Sequence, residues 1–408
     1  MERASRRQVS GKVAPRAVRA QDVRRIVEDS KRTGAGAFSS LDACRIHVVV
    51  PAGRLGPGGM CRMVDYYLTE WTERHRPGSF VVCDPTGQTL DLRRSSWWRL
   101  WRQPIHFCRT LVQIIFARIT GRIGLVHVHI SERGSVLRKM IVIYLSRLLR
   151  IPVVGHMHGA SFAEFYSQLP TTGQWLVAHA FRQTQRFIVL GSAPKAYFID
   201  TVGLDPNRVT IVHNAVPCIG PVRGSRETMV PQLVFIGIMI ERKGLLELLN
   251  ALARLLHRPW ALKIIGDGNA AAWQQIAHDL GVQDRVEFCG WQHTAAVHAV
   301  LAFSDILLLP SHNEGLPMVI IEAMAHACAV IATPVGSIKD VVEHNVTGFL
   351  VPPRDINALT EAIDRLLTEP GLRHRFGAAG RSRYLESLTM KRMNDQLESI
   401  FADAIHRG

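Results

Sequence analysis

"RVTIVHNAVPCIGPVRGSRETMVPQLVFIGI", residues 208–238, decides the fold. It opens with an apolar, β-rich run and closes with another, "QLVFIGI" (232–238). Between them Pro and Gly recur without any hydrophobic period, which is the composition of a linker. Upstream lie "RIHVVV" (45–50), "SFVVC" (79–83), "IGLVHVHI" (123–130), "IPVVGHMH" (151–158) and "RFIVL" (186–190), separated by stretches of helical spacing such as "MCRMVDYYLTEWTER" (60–74). Downstream the alternation restarts and runs through "ALKIIGDG", "RVEFCG", "DILLLP" and "AVIATP" to "GFLVP" (348–352). Short apolar strands alternating with helices make parallel sheets covered on both faces. The break divides one such series from the next. An α/β chain is expected, with two doubly wound domains in tandem at 45–218 and 231–385, a linker at 219–230, and a cleft between the domains. Apolar residues at 390, 393, 397, 400 and 401 share one helical face, so 386–408 is read as a final helix able to cross back to the first domain.

Composition narrows the classes. The chain has 408 residues, 47% of them hydrophobic and 20% charged, an ordinary globular balance. No apolar run is long enough to span a bilayer, and the first residues lack the apolar core of a secretory signal. Seven cysteines with no Cys-x-x-Cys suggest neither a disulfide framework nor a zinc site, and fit a reducing cytosol. The net charge of +15 is uneven: residues 1–223 hold 32 Lys and Arg against 14 Asp and Glu, and residues 224–408 hold 17 against 20. A basic first half implies an anionic partner there, such as nucleic acid, anionic lipid or a lipid diphosphate. Residues 1–44 have the composition of a disordered tail, unless the start codon lies downstream.

Several common chemistries lack their parts. There is no Gly-x4-Gly-Lys-Ser/Thr loop, no full Gly-x-Gly-x-x-Gly after a strand and no Gly-x-Ser-x-Gly. No Asp-x-Asp is present to hold a metal–diphosphate complex. The eighteen histidines mostly alternate along strands, as in "VHVH", and metal ligation is not expected of them. Ligands of doubly wound sheets bind at the carboxyl ends of the strands. Those ends carry Gly237, Gly266, Gly268, Gly290 and the 311–317 loop.

That loop leads into "NEGLPMVIIEAMA" (313–325), an apolar helix with two carboxylates, Glu314 and Glu322. With Pro317 as the helix start, Glu314 sits in the loop and Glu322 in the second turn. Eight helical positions rise about 12 Å, roughly a diphosphate with a sugar ring on each side. Free amides around Gly315, Leu316 and Met318 would read an anion, and the carboxylates would read hydroxyls. The alternative is a helix with a dipole-favoured Glu314 and a solvated Glu322, against which stand the apolar neighbours of Glu322.

The segment "SHNEGLPMVIIEAMAHACAVIATPVGSIKDVVEHNVTGFLVPPRD" (311–355) resembles the donor-binding signature of glycosyltransferase family 4, retaining enzymes of the GT-B fold. "IIGDGNAAAWQQIAHDLGVQDRVEFCGW" and "RVTIVHNAV" resemble family segments too, and the likeness covers about residues 45 to 385. It implies that Glu314 holds the donor sugar near its reacting carbon and that Glu322 holds the ribose. It implies that the backbone of Gly315, Leu316, Pro317 and Met318 faces sugar or diphosphate, with the amides of Gly315, Leu316 and Met318 as donors, and that Lys243 neutralises the diphosphate. Gly58 and Gly59 match the family glycine loop, and His158 matches its histidine near the donor sugar. A nucleotide sugar is then the co-substrate, with neither cofactor nor metal expected. Two departures stand out. Ile238 occupies the place of an arginine that usually joins the lysine on the diphosphate, with Arg242 the nearest substitute. "GSIKD" (336–340) replaces the commoner Gly-Gly-x-x-Glu.

The acceptor is expected on the basic first domain. "SERGSVLRK" (131–139) follows a strand and opens a helix, placing Arg133, Arg138 and Lys139 at an anion site, and it resembles segments of transferases that build exopolysaccharide repeat units. "RRSSWWRLWRQPIHF" (93–107) mixes three Trp with four Arg, which suits either a bilayer interface or a core contact. The expected enzyme is a hexosyltransferase acting on a polyprenyl-diphosphate-linked saccharide, cytoplasmic and peripheral on the inner membrane face. The alternatives are a synthase with a soluble sugar acceptor, a nucleotide-sugar-binding protein without catalysis, and a nucleic-acid-binding protein using its tail. Nucleic acid is not expected as a partner.

Overall fold

The computed structural model describes residues 45–51, 58–74, 79–86, 96–217 and 230–407, with only the backbone described over 96–101. The expected tail at 1–44, most of the linker, and Arg93 and Arg94 lie outside the described residues.

The first domain is a parallel six-stranded sheet in the order β2-β1-β3-β4-β5-β6. Its strands are β1 (Ile46–Val49), β2 (Phe80–Cys83), β3 (Leu125–Ile130), β4 (Val153–Met157), β5 (Arg186–Val189) and β6 (Val209–Ile211). The helices between them are α1 (Gly59–Arg74), α2 (Ser96–Ile119), α3 (Gly134–Leu148), α4 (Phe162–Ser167), α5 (Thr171–Arg182) and α6 (Ser192–Asp200). β3 and β4 are buried at every residue, as expected of strands covered on both faces.

The second domain repeats the plan with β7 (Gln232–Ile236), β8 (Ala261–Ile265), β9 (Val286–Gly290), β10 (Ile306–Leu309), β11 (Ala329–Ala332) and β12 (Gly348–Leu350). Its order is β12-β11-β10-β7-β8-β9, again all parallel. Its helices are α7 (Leu245–Ala253), α8 (Ala270–Asp279), α9 (Thr294–Leu301), α10 (Met318–Ala325), α11 (Ile338–Val341), α12 (Ile356–Thr368) and α13 (Pro370–Ser387). The strand order reverses between β1 and β3 in the first sheet and between β7 and β10 in the second. At such reversals neighbouring loops part and open a crevice beyond the carboxyl ends of the strands. The chain leaving β1 reaches Gly58–Gly59, that leaving β7 reaches Gly237 and Lys243, and that leaving β10 becomes the 310–317 loop. Topology thus gathers the candidate residues at two facing crevices.

The last helix, α14 (Met390–His406), returns to the first domain and packs on α1, β3 and β4. Phe401 meets Trp71 and His127. Arg186 pairs with Asp403 at 2.6 Å and Arg74 with Asp395 at 2.8 Å. Val216 and Thr389 form a parallel bridge beside this crossing, and the Tyr384 hydroxyl donates to the Pro217 carbonyl at 2.6 Å.

Candidate active site

The 310–317 loop is braced from every side. Thr333 Oγ1 donates to the Ser311 carbonyl, and the His312 amide donates to the Arg242 carbonyl at 2.8 Å. His312 Nε2 meets Glu247 at 2.8 Å, and the Ser337 amide donates to the Gly315 carbonyl at 2.8 Å. Gly336 sits at φ 58°, where a Cβ would overlap the Glu314 carbonyl oxygen. That left-handed, crowded position accounts for glycine there. The first domain adds Asn214, whose Nδ2 donates to the Leu316 carbonyl at 2.6 Å, and Ser161, whose Oγ accepts from Asn313 at 3.0 Å.

These braces aim Glu314. It is nearly buried at 8% exposure, and its Oε1 accepts from Lys243 Nζ at 2.5 Å and from Ser311 Oγ at 2.9 Å. Lys243 ends a 3-10 turn, Glu241–Lys243, closed by Gly244 at φ 71°. Arg242, the expected stand-in for the missing arginine, donates from Nη1 to the Asn313 carbonyl at 2.7 Å and so braces the loop. Ile238 is 54% exposed. Gly237 and Gly266 are in backbone contact, since a Cβ on Gly266 would overlap the Gly237 carbonyl oxygen, and Gly268 bridges to Met239 at φ 140°. The need for glycine at 266 and 268 is met by the packing of these two loops on each other.

Helix α10 begins at Met318 with Pro317 as its N-cap, and every one of its residues is buried. The ruler of about 12 Å therefore needs correcting, because only Met318 to Glu322 is helical and Glu314 to Pro317 is loop. Of the first-turn amides, that of Ile320 donates to the Pro317 carbonyl at 3.2 Å, and those of Met318 and Val319 precede the first partner carbonyl that the helix can offer. Glu322 is fully buried, not a solvated face residue. Its Oε1 accepts from Arg62 Nη1 of α1 at 3.2 Å, and its Oε2 has no hydrogen-bond partner among the described residues. The nearby Tyr66 hydroxyl is pushed up to about 12, first by burial and then by the Glu322 charge. Gly59 packs against Met318, a Cβ there coming 3.4 Å from Met318 Cγ. The starts of α1 and α10 therefore face one another across the cleft.

His158 closes the site from the first domain. A Cβ on Gly315 would lie 3.1 Å from the His158 carbonyl oxygen. The His158 ring turns inward, with Nε2 and His129 Nδ1 2.9 Å apart, and burial pushes its pKa down to about 3. Behind it His127, His129 and His156 are wholly buried, with ring nitrogens within 4.8 Å of one another. This group contains no carboxylate, and burial, followed by the neighbouring imidazoles and Lys139, holds His129 well below its ordinary value.

The acceptor candidates separate. Arg133 is exposed at the start of α3 with φ 48°, and Arg138 is half-buried beside Gly134. Lys139, in contrast, has no exposed surface, and its Nζ has no hydrogen-bond partner among the described residues. Burial, and then the Arg138 charge, push it down to about 7. In this conformation Lys139 makes no surface on which an acceptor would lie. Asp340 of "GSIKD" is a further clamp that the sequence reading did not foresee. Its carboxylate accepts from the Ser192 amide at 2.5 Å and from Ser192 Oγ at 2.6 Å, tying α11 to α6.

Residues 57–218 match the family model "Glycosyltransferase Family 4" and residues 223–383 match "Glycosyl transferases group 1". The alpha-D-kanosaminyltransferase of Streptomyces kanamyceticus is 24% identical over 313 residues, 70% of this chain and 79% of that protein. The GDP-mannose-dependent alpha-(1-6)-phosphatidylinositol monomannoside mannosyltransferase of Mycobacterium tuberculosis is 34% identical over 161 residues, 37% of this chain and 42% of that protein. The crystal structure of a glycosyltransferase from Rickettsia africae superposes with a TM-score of 0.72 at 18% identity, covering 90% of this chain and 99% of that one. With two domain models that together span the cleft and the paired parallel sheets of the GT-B fold, the chain belongs to the nucleotide-sugar-dependent glycosyltransferases of family 4.

Proposed function

We propose that the protein moves a hexose, with retention, from a nucleoside-diphosphate sugar to a polyprenyl-diphosphate-linked saccharide during exopolysaccharide or envelope polysaccharide synthesis. The observation that carries this reading is Glu322, a buried carboxylate with one oxygen lacking a donor among the described residues. Such a group is costly unless a ligand completes it, and a ribose hydroxyl is a donor of the right kind. Glu314 would hold the sugar hydroxyls and Lys243 the diphosphate, with the amides at the start of α10 between them. Breaking the C1–O bond puts charge on the diphosphate, which Lys243 would stabilise. The acceptor oxygen would form its bond to C1 on the same face, and its proton would pass to the departing phosphate oxygen. No metal is called for in this scheme, since Lys243 and the helix start supply the positive potential.

The lipid side of the reading rests on the outer face of the first domain. On α2 the exposed residues Ile105, Val112, Phe116 and Ile119 share one side, and α3 presents Leu137, Ile141 and Leu148. α5 adds Trp175 and Leu176, and α3 packs against both α2 and α5. Exposed Arg109, Arg122, Arg147 and Arg150 lie on or next to these helices. Apolar studs among arginines suit an anionic bilayer surface. No helix among the described residues is long and apolar enough to cross a membrane. The relative from Mycobacterium tuberculosis is named for a phosphatidylinositol mannoside, a lipid acceptor.

Labelled nucleotide sugars incubated with the enzyme and a membrane lipid extract should put label into the organic phase. Label found only in a water-soluble sugar would favour a soluble acceptor, and none in either phase would remove the transfer reading. The enzyme should sediment with phosphatidylglycerol liposomes at low salt and come off as salt rises. Indifference to such liposomes would remove the membrane part.

A further inference from the structure

We infer that Arg62 supplies the second cation for the donor diphosphate, in place of the arginine that Ile238 displaces. This rests on the nucleotide-sugar reading of the cleft and names a residue that this reading did not include.

Arg62 lies in the first turn of α1, its amide bonded to the Gly58 carbonyl at 3.2 Å. It therefore rides on the glycine turn that faces the start of α10. Its guanidinium reaches 3.2 Å from Glu322 Oε1, with the side chain still 27% exposed. The opposite end of the cleft repeats this arrangement, with Lys243 on Glu314 at 2.5 Å. Each glutamate that would read a sugar hydroxyl is thus held by a cation from a neighbouring loop or helix start. A nucleotide sugar offers hydroxyls at both ends and negative charge in the middle. When hydroxyls take over the glutamates, both cations are released beside the diphosphate.

Among the described residues of the loop after β7, the nearest substitute is already engaged. Arg242 donates to the Asn313 carbonyl at 2.7 Å, and Ile238 carries no charge. Arg62 has five N–H donors in a planar fork, and one contact to Glu322 leaves most of them for phosphate oxygens. Because Arg62 belongs to the first domain and Glu322 to the second, the diphosphate site is complete only when the cleft is closed.

The test is calorimetric binding of UDP, GDP, ADP and dTDP, each beside its nucleoside, to wild type, Arg62→Ala, Arg62→Lys and Arg62→Ala/Ile238→Arg. Arg62→Ala should weaken the preferred nucleoside diphosphate about 30-fold while leaving its nucleoside within about threefold. Arg62→Lys should fall between, and adding Ile238→Arg should restore most of the loss. Diphosphate binding by Arg62→Ala that equals or exceeds wild type would overturn the proposal, because Arg62 would then be only a placeholder on Glu322. So would an equal loss of nucleoside affinity, which marks a structural role. If wild type binds none of the four diphosphates, the donor reading falls and the role of Arg62 falls with it. A melting curve for each variant separates misfolding from these outcomes.

Discussion

Glu314→Gln is expected to lower kcat by about two to three orders of magnitude, the scale for removing one preorganised charged group from a reacting centre. The substitution keeps volume and one acceptor oxygen, so Ser311 Oγ and the braces from Thr333, Ser337 and Asn214 should survive. What disappears is the charge facing Lys243 and the strong acceptor for sugar hydroxyls. Glu322→Gln should behave differently. It sits one helical turn into α10 and would grip the ribose, away from the breaking bond, so its loss should show mainly as a higher donor KM. Initial rates against donor concentration, with a melting temperature for each variant, check both. Near wild-type turnover in both variants would remove the glutamate pair from the mechanism.

Much of this site was legible because it is local. Strand ends, the loops after them and the two glutamates lie within short segments, and the hydrophobic period alone puts them at the carboxyl edges of two sheets. What escaped reading is contact between distant segments. Arg62 and Glu322 are 260 positions apart, and Asn214 reaches Leu316 across the same cleft. No periodicity encodes how two independently folded sheets face each other. One miss was avoidable. Val136, Lys139, Met140 and Ile143 follow the i, i+3, i+4, i+7 pattern of a buried helical face. That pattern puts Lys139 inside and Arg138 toward the rim, as observed. The same geometry separates what "VHVH" left ambiguous. His127 and His129 share the face of β3 that α1 and α14 cover, so they are interior groups beneath the site.

Those histidines set the other large expectation, a steep loss of stability between pH 6.5 and 5. His127 is pushed down to about 3 by burial and by the His158 charge, and His129 and His156 are also driven well below their ordinary value by burial. His47, on β1, and His326, after α10, fall to about 4, again chiefly through burial. A folded-state pKa below the unfolded value of about 6.5 means that the unfolded chain binds more protons throughout the interval between them. Stability from these neutral imidazoles is therefore present above about pH 6.5 and is lost progressively as pH falls from there toward the folded values. Each such group costs on the order of 1.4 kcal/mol per pH unit once well below 6.5, so His127 alone removes about 2 kcal/mol by pH 5. The neighbouring rings are coupled and do not simply add, yet two or three acting together would remove a large part of the roughly 5–15 kcal/mol that a domain possesses. Carboxylates with depressed values, such as Asp403 held low by Arg186 and Arg407, act only at more acid pH, which leaves this window to the histidines. Urea midpoints should fall steeply from pH 7 to pH 5 in the wild type. In His127→Phe the slope should decrease by about one proton, whatever that substitution does to stability at pH 7. A midpoint that stays flat over this window would show that the imidazoles beneath the cleft are not held neutral by burial.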